Sequence, residues 1–320
     1  MKIGVEDIKG VVGIVPTPAT PDADRWECAN SIDFDQTRRM VDAIVSAGVD
    51  ILMTTGTFGE CATLTEPELR EYVRCVAETV RGRVPLFAGI TTLNTRDTIR
   101  RGRELLEAGA DGLFVGRPMW LPLDQRAIVD FYGDVADALK RVPLVIYDNP
   151  FAFRGKIAAE TYQELGKIPE LIASKHVGGP SLESDALALG KAMRLLPLEI
   201  DWIDLARMQP DLAQACWSGN VACAPLPVVE LSRAIAQGNW PRAEALTTKL
   251  RRALAPMYAD DFEAFMIYSI QLGHARFNAA GLVDVGPCRP PYTKAPPAML
   301  AGAAKAGRLL AELQKELLPA

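Results

Sequence analysis

The sequence predicts an α/β fold, a (β/α)8 barrel with a C-terminal helical extension. Three observations lead there. Apolar runs of four to seven residues recur at 11–16, 51–54, 86–90, 112–115, 144–148, 171–175, 198–203 and 221–224. Amphipathic helical patterns fill the gaps between them, and strands alternating with helices make parallel sheets that eight units can close. Three of the runs deliver polar groups at their ends: the hydroxyl of Thr57, the phenol of Tyr147 and the amine of Lys175. Barrels of this kind place their chemistry at the C-terminal ends of the strands.

Local punctuation supports the elements in order. Ala47-Gly48-Val49-Asp50-Ile51-Leu52 and Ala108-Gly109-Ala110-Asp111-Gly112-Leu113 repeat one pattern. In each, a glycine ends a helix and turns the chain into a strand, as a left-handed cap requires. Arg83-Val84-Pro85-Leu86 and Arg141-Val142-Pro143-Leu144 form a second pair, with a proline that can open a strand without losing a ladder bond. Thr65-Glu66-Pro67-Glu68 reads as a helix start, with Thr65 as N-cap and Glu68 as its box partner. The barrel is expected over 1–225. Residues 226–320 supply its last helix and an extension of the same domain, with helices near 226–236, 239–256, 261–280 and 298–316. A proline-rich interruption, GPCRPPYTKAPP, occupies 286–297.

Composition narrows the class of function. The 320 residues are 49% hydrophobic and 23% charged, ordinary for a globular protein with a large core. The net charge is −5 and no basic tract is present, which argues against nucleic acid as a partner. No apolar stretch approaches the roughly 18–20 residues that cross a bilayer. The start, MKIGVEDIKGVVGIV, lacks a signal-peptide pattern, so the expected location is the cytoplasm. The six cysteines have no CxxC spacing and are expected to be reduced and structural. Two histidines, His176 and His274, are too few for a zinc site built on histidine, so no metal is expected.

Lys175 is the focus of the chemistry. It ends the apolar run Leu171-Ile172-Ala173-Ser174. Lysine is rarely buried unless paired. At a strand end it either snorkels into solvent or serves as an amine of lowered pKa that condenses with a carbonyl. Gly178-Gly179, just beyond, lets the backbone approach a ligand closely. Tyr147 lies in YDNP, where Asn149 precedes Pro150 and is pushed to extended geometry. A phenol at the rim can carry protons to and from a carbinolamine oxygen or a substrate hydroxyl. Gly56-Thr57-Phe58-Gly59-Glu60 follows the second run, and its amides, with the Thr57 hydroxyl, can cradle a carboxylate. It matches neither a Walker nor a dinucleotide fingerprint.

GTFGE at 56–60, YDNP at 147–150 and the lysine ending the sixth strand resemble the signatures of the dihydrodipicolinate synthase/N-acetylneuraminate lyase family of Schiff-base aldolases. The resemblance implies a barrel, often tetrameric, whose lysine forms an imine with pyruvate. It assigns the imine to Lys175, proton transfer to Tyr147, and pyruvate carboxylate binding to Thr57 and neighbouring amides of Gly56 and Phe58. No cofactor is implied beyond the covalent Schiff base. Several positions depart from the family pattern. Phe58 replaces a threonine of the usual GTTGE, His176 replaces a glutamate, and Ala152 stands where the synthase has an arginine for its dicarboxylic substrate. A tyrosine that the synthase contributes from a neighbouring subunit aligns near Trp120.

These departures, with GTFGECATLT at 56–65 and GPCRPPY at 286–292, resemble one branch of the family, the hydratase-aldolases of aromatic-hydrocarbon degradation. The branch implies water addition to an aryl-substituted α,β-unsaturated pyruvate, then retro-aldol cleavage to an aromatic aldehyde and pyruvate. Asn149 is then a candidate to orient the water or hydroxyl. Trp217, expected just before the eighth strand, and Asn278 in the tail are candidates to line the aryl end, each with a plain packing or turn role as the alternative. His176 is expected to point away from the pocket, because neighbours on a strand alternate faces. The competing readings are an aldolase or dehydratase acting on a sugar acid, and a catalytically silent ligand-binding barrel.

Overall fold

The computed structural model describes residues 3–258 and 261–318. Eight parallel strands form one sheet: β1 (Gly10–Ile14), β2 (Ile51–Met53), β3 (Leu86–Gly89), β4 (Gly112–Gly116), β5 (Leu144–Tyr147), β6 (Leu171–Lys175), β7 (Arg194–Leu196) and β8 (Ala215–Ser218). Neighbours run in chain order from β7 back to β1, and β1 then pairs with β8. The ring closes between β7 and β8 through a single bridge, Leu198 to Trp217. Two backbone bonds hold it, from Trp217 N–H to the Pro197 carbonyl at 2.9 Å and from Glu199 N–H to the Trp217 carbonyl at 3.1 Å. The fold is therefore the (β/α)8 barrel.

Helices α1 (Phe34–Ser46), α2 (Glu66–Val80), α3 (Thr95–Glu107), α4 (Gln125–Ala138), α5 (Ala159–Leu165), α6 (Leu182–Leu189) and α7 (Trp202–Met208) separate successive strands. After β8 come α8 (Pro225–Ala236), α9 (Trp240–Tyr258), α10 (Phe262–Ile267), α11 (Ser269–Ala280) and α12 (Pro297–Glu316). The helix starts follow local chemistry. Thr65 accepts from Glu68 N–H while the Glu68 side chain reaches back to Thr65, the box read from the sequence. Gly48 and Gly109 take φ of 96° and 108° as the chain leaves α1 and α3. One large apolar cluster fills the space between strands and helices, and a smaller one fills the barrel interior. The tail packs as a body: α11 and α9 both lie along α12, and α8 joins α9 to the barrel. No described helix is long and apolar enough to cross a membrane. All six cysteines are free.

Two of the expected strands are displaced. The run 198–203 is not β7. Only Leu198 bridges to β8, and α7 begins at Trp202. Leu198-Glu199-Ile200-Asp201 alternates like a half-buried strand, whereas β7 itself opens on the charged Arg194. That guanidinium escapes the pattern by donating to the Asp211 and Leu212 carbonyls, each at 3.1 Å, beyond the strand's N-terminal end. The run 221–224 is not β8 but a buried turn that leads to Pro225, the first residue of α8. β8 lies at 215–218, so Trp217 is inside the strand and not before it. The helix expected over 261–280 is two helices, α10 and α11, broken at Tyr268.

Candidate active site

The C-terminal ends of the strands surround a cavity under α9, α10 and α11. Lys175 ends β6 and points into it. The residue is 5% exposed, and its Nζ stands 3.4 Å from the Trp217 ring centre and 4.8 Å from that of Tyr147. No carboxylate among the described residues makes an ion pair with it. Burial therefore pulls its pKa down from 10.5 to about 7, while the more distant Asp148 and Glu199 work in the other direction. A substantial share of the amine is uncharged at neutral pH.

Tyr147 sits opposite Lys175 in the β5–β6 register. Its ring is pinned between Phe114, stacked at 4.5 Å, and Phe153, edge-on at 5.1 Å. The hydroxyl is 2.7 Å from Thr57 Oγ1, and Asn149 Nδ2 donates to it at 3.4 Å. Burial raises the phenol pKa, so it holds its proton at neutral pH. Asn149 is itself fixed, because its Oδ1 accepts from the amides of Phe151 and Ala152 at 3.1 Å each. Behind the strands, Asp148 accepts from Arg117 at 3.0 Å and from the Tyr162 hydroxyl at 3.0 Å, and Ser174 lies 3.2 Å from that hydroxyl. This network locks β4, β5 and β6 together beside the amine.

The Gly56–Glu60 loop is held from below and from the tail. Thr55, at φ 49°, accepts from Gly89 N–H at 2.7 Å, and a side chain at Gly59 would collide with the Thr55 backbone at 2.5 Å. Glu60 is fully buried and bonds Arg289 and His274, the latter at 3.1 Å. Burial works to raise the Glu60 pKa. The His274 hydrogen bond, with the charges of His274 and Arg289, outweighs it and keeps the carboxyl below its ordinary value. For His274 burial works downward, but Cys288 and Glu60 together lift the ring to about 10. Arg289 also reaches Ser31 Oγ at 2.6 Å and the Thr17 carbonyl at 3.1 Å. The GPCRPPY segment thus clamps the Gly56–Glu60 loop, a link between residues far apart in the chain that spacing does not show.

The structure places the candidates unequally. Lys175, Tyr147, Asn149, Gly56, Thr57, Phe58 and Trp217 all line the cavity. Trp217 lies directly against the amine, with its Nε1 donating to the His176 carbonyl at 2.7 Å. Asn278 does not reach the cavity. It is exposed, accepting from Val285 N–H at 2.7 Å and donating to the Gly286 carbonyl at 3.2 Å, because its position on α11 faces the 284–286 turn. Trp120 is 75% exposed on the loop after β4, outside the cavity. His176 faces α6: its Nδ1 accepts from Gly178 N–H at 3.0 Å and its Nε2 meets Asp185 at 3.1 Å, as strand alternation requires.

Sequence reasoning missed the closing wall. Met257 and Tyr258 from α9, Phe262, Phe265 and Met266 from α10, and Ser269 and Arg276 from α11 cover the cavity. It also missed Asn220, which donates to Glu199 and accepts from Arg276 at 2.6 Å. Phe58 fills a slot against Gly219 and Gly273, where an added Cβ would stand 2.8 and 3.2 Å from its ring. The only sequence signal for this cluster was charge inside apolar stretches, at Glu199 and Arg276.

The arrangement is a buried amine of lowered pKa, a protonated phenol on a hydroxyl partner, and a mainly apolar wall. Three comparisons bear on it. Residues 11–302 match the Dihydrodipicolinate synthetase family. The chain is 46% identical over 315 residues to the trans-2′-carboxybenzalpyruvate hydratase-aldolase of Nocardioides sp. (strain KP7), covering 97% of this chain and 95% of the relative. It is 43% identical over 317 residues to the trans-O-hydroxybenzylidenepyruvate hydratase-aldolase of Pseudomonas putida, covering 98% and 96%. A solved structure, PhdJ bound to substrate intermediate, superposes with a TM-score of 0.98 at 53% identity, over 99% of this chain and 100% of that one.

Proposed function

Because the chain belongs to the dihydrodipicolinate synthetase family, we propose that it is a Schiff-base hydratase-aldolase. Its substrate is an aryl-substituted α,β-unsaturated pyruvate, and its products are an aromatic aldehyde and pyruvate. The observation that carries this reading is the Lys175 amine, buried against Trp217 and Tyr147 and held near a pKa of 7. The apolar walls built by Phe58, Phe114, Phe262 and Phe265 suit an aryl group and offer few partners to a sugar acid.

The uncharged amine attacks the C2 ketone, and the carbinolamine loses water to give a protonated imine. The imine is conjugated with the alkene, so it draws electrons from the benzylic carbon and water adds there. The resulting enamine takes a proton at C3. A base then removes the proton of the benzylic hydroxyl, the C3–C4 bond breaks, and the aldehyde leaves while the electrons return to the imine. Protonation of the enamine and hydrolysis release pyruvate and restore Lys175. Tyr147 carries these protons, relayed through Thr57 at 2.7 Å, and Asn149 steadies its hydroxyl. The amides of the Gly56–Phe58 loop receive the keto-acid carboxylate. The chemistry needs no metal or organic cofactor.

We further propose a homotetramer working in the cytoplasm, with the exposed Trp120 facing a neighbouring subunit. Sedimentation of the purified protein tests the assembly. Borohydride reduction in the presence of pyruvate tests the chemistry: a stable adduct is expected on the peptide holding Lys175. Absence of added mass there removes the imine mechanism.

A further inference from the structure

Two cationic side chains converge on one buried carboxylate. Glu60, Arg289 and His274 are all buried. Glu60 Oε1 accepts from the Arg289 N–H at 3.1 Å. Its Oε2 accepts from Arg289 Nη1 and from His274 Nε2, the latter at 3.1 Å. The other ring nitrogen, His274 Nδ1, lies 3.1 Å from the Gly286 carbonyl oxygen. A carbonyl and a carboxylate only accept. Each ring nitrogen must therefore carry a hydrogen, and a ring with both is an imidazolium.

The charges in this cluster do not cancel. Glu60 is the one carboxylate within ion-pair distance of either cation among the described residues. The next acid outward is Glu68. Ser31 stands between, accepting from Arg289 Nε at 2.6 Å and donating to Glu68, which is itself half-exposed to water. Cys288 also faces the ring, and as a thiol it is neutral. One positive charge is left over among buried groups, where solvent screens it little.

That charge sits on the buried side of the loop assigned above to the keto-acid carboxylate. Glu60 N–H donates to the Thr57 carbonyl at 3.0 Å, and Cys61 N–H donates to the Gly56 carbonyl at 3.2 Å. The loop thus closes within one turn, with Thr57 and Phe58 on the cavity wall and the Glu60 carboxylate turned inward to Arg289. Gly273, the neighbour of His274 on α11, packs on the Phe58 ring, where an added Cβ would stand 3.2 Å away.

We propose that His274 is a specificity-determining residue: its imidazolium leaves the Gly56–Phe58 loop backed by a net positive charge that selects a keto acid over a neutral ketone. The inference rests on the Schiff-base reading above and deepens it. The loop amides alone supply hydrogen bonds that a carboxylate and a carboxamide can both use in part. The charge behind them favours the anion, because attraction through a dry loop is stronger than through water.

Cyanoborohydride trapping at Lys175 with pyruvate and with pyruvamide, its neutral amide, tests this. The half-saturating concentration of each ketone is read from the mass added to the peptide holding Lys175. The wild-type protein should trap pyruvate at a concentration lower by about tenfold or more. His274→Gln, which removes the ring's charge, should raise the pyruvate value about tenfold and leave the pyruvamide value within about twofold. Glu60→Gln, which removes the anion and leaves at least the guanidinium charge, should keep the preference for pyruvate. A wild-type protein that traps both ketones equally overturns the proposal. So does a His274→Gln variant that loses both by one common factor, since the ring would then only shape the loop, and so does one that loses neither. If His274→Gln does not fold, Glu60→Gln decides: a retained preference supports the proposal and a lost one overturns it. A wild-type protein that traps neither ketone defeats the Schiff-base reading itself, and this inference with it.

Discussion

Tyr147 and Lys175 are register partners on adjacent strands, yet the phenol's hydrogen bond goes to Thr57 at 2.7 Å and the amine rests on ring faces. Among the described residues the amine is thus left without an anion to hold its proton, and the phenol has a hydroxyl partner through which a proton can move. The two groups are adjacent without neutralising each other, which suits the proposed attack by the amine and the proposed proton transfer by the phenol.

The rate should follow the amine's titration. With the pKa lowered by burial to about 7, the attacking form gains population as pH rises through 7. Below that point kcat/KM is expected to fall about tenfold per pH unit, and above it to level off. A pH–rate profile with no inflection between about 6 and 8 would contradict the burial argument. Lys175→Ala should abolish turnover.

Tyr147→Phe should separate binding of the ketone from proton movement. Imine formation with pyruvate remains possible but slow, while turnover falls by about 10²–10⁴-fold. Single-turnover trapping and steady-state kinetics on the same sample measure the two steps. Equal loss in both would mean that the phenol merely packs. Thr57→Val, which removes the hydroxyl at 2.7 Å, should lower turnover in the same direction by a smaller factor.

Lys175 should also cost stability. Its folded pKa of about 7 lies below its unfolded value of 10.5. Between these values the unfolded chain binds a proton that the folded chain does not, so stability rises with pH across that window and is lowest below it. Lys175→Met removes the penalty and should stabilise the protein at pH 7 by up to about 4 kcal/mol. Denaturant unfolding of both proteins at pH 7 and pH 10 checks the sign: the gap should narrow at the higher pH.

Arg289→Met should act on the loop through Glu60. It leaves a buried carboxylate with His274 as its remaining charged partner, a change expected to cost about 3–5 kcal/mol. Glu60→Gln in the same chain should recover part of that loss, because the stranded charge is gone. Additive losses in the double variant would show that the two residues stabilise the fold independently. His274 strengthens the point: with its folded pKa near 10, above the unfolded 6.5, its stabilising contribution is complete below about 6.5 and fades as pH rises toward 10.

The sequence by itself determined the alternation of strands and helices, the helix caps at Thr65, Gly48 and Gly109, and the strand-end positions of Lys175 and Tyr147. Those features are local: they depend on periodicity, on φ preference and on which residue ends an apolar run. It also carried the family resemblance through GTFGE, YDNP and GPCRPPY. Tertiary structure alone decided what surrounds the amine. The strand at 194–196 stayed hidden because a charged residue opens it, and the alternating run at 198–203 imitated it. Asn278, a candidate for the aryl end, and Trp120, placed near the synthase tyrosine, turn instead toward a loop and away from the cavity. Trp217 against Lys175, Arg276 against Asn220 and Arg289 against Glu60 join residues 42, 56 and 229 positions apart. Trp217 meets Lys175 because the barrel brings the ends of β6 and β8 to one mouth, and the lowered pKa of the amine follows from how α9, α10 and α11 cover that mouth, because burial is a property of the packed molecule and not of the chain.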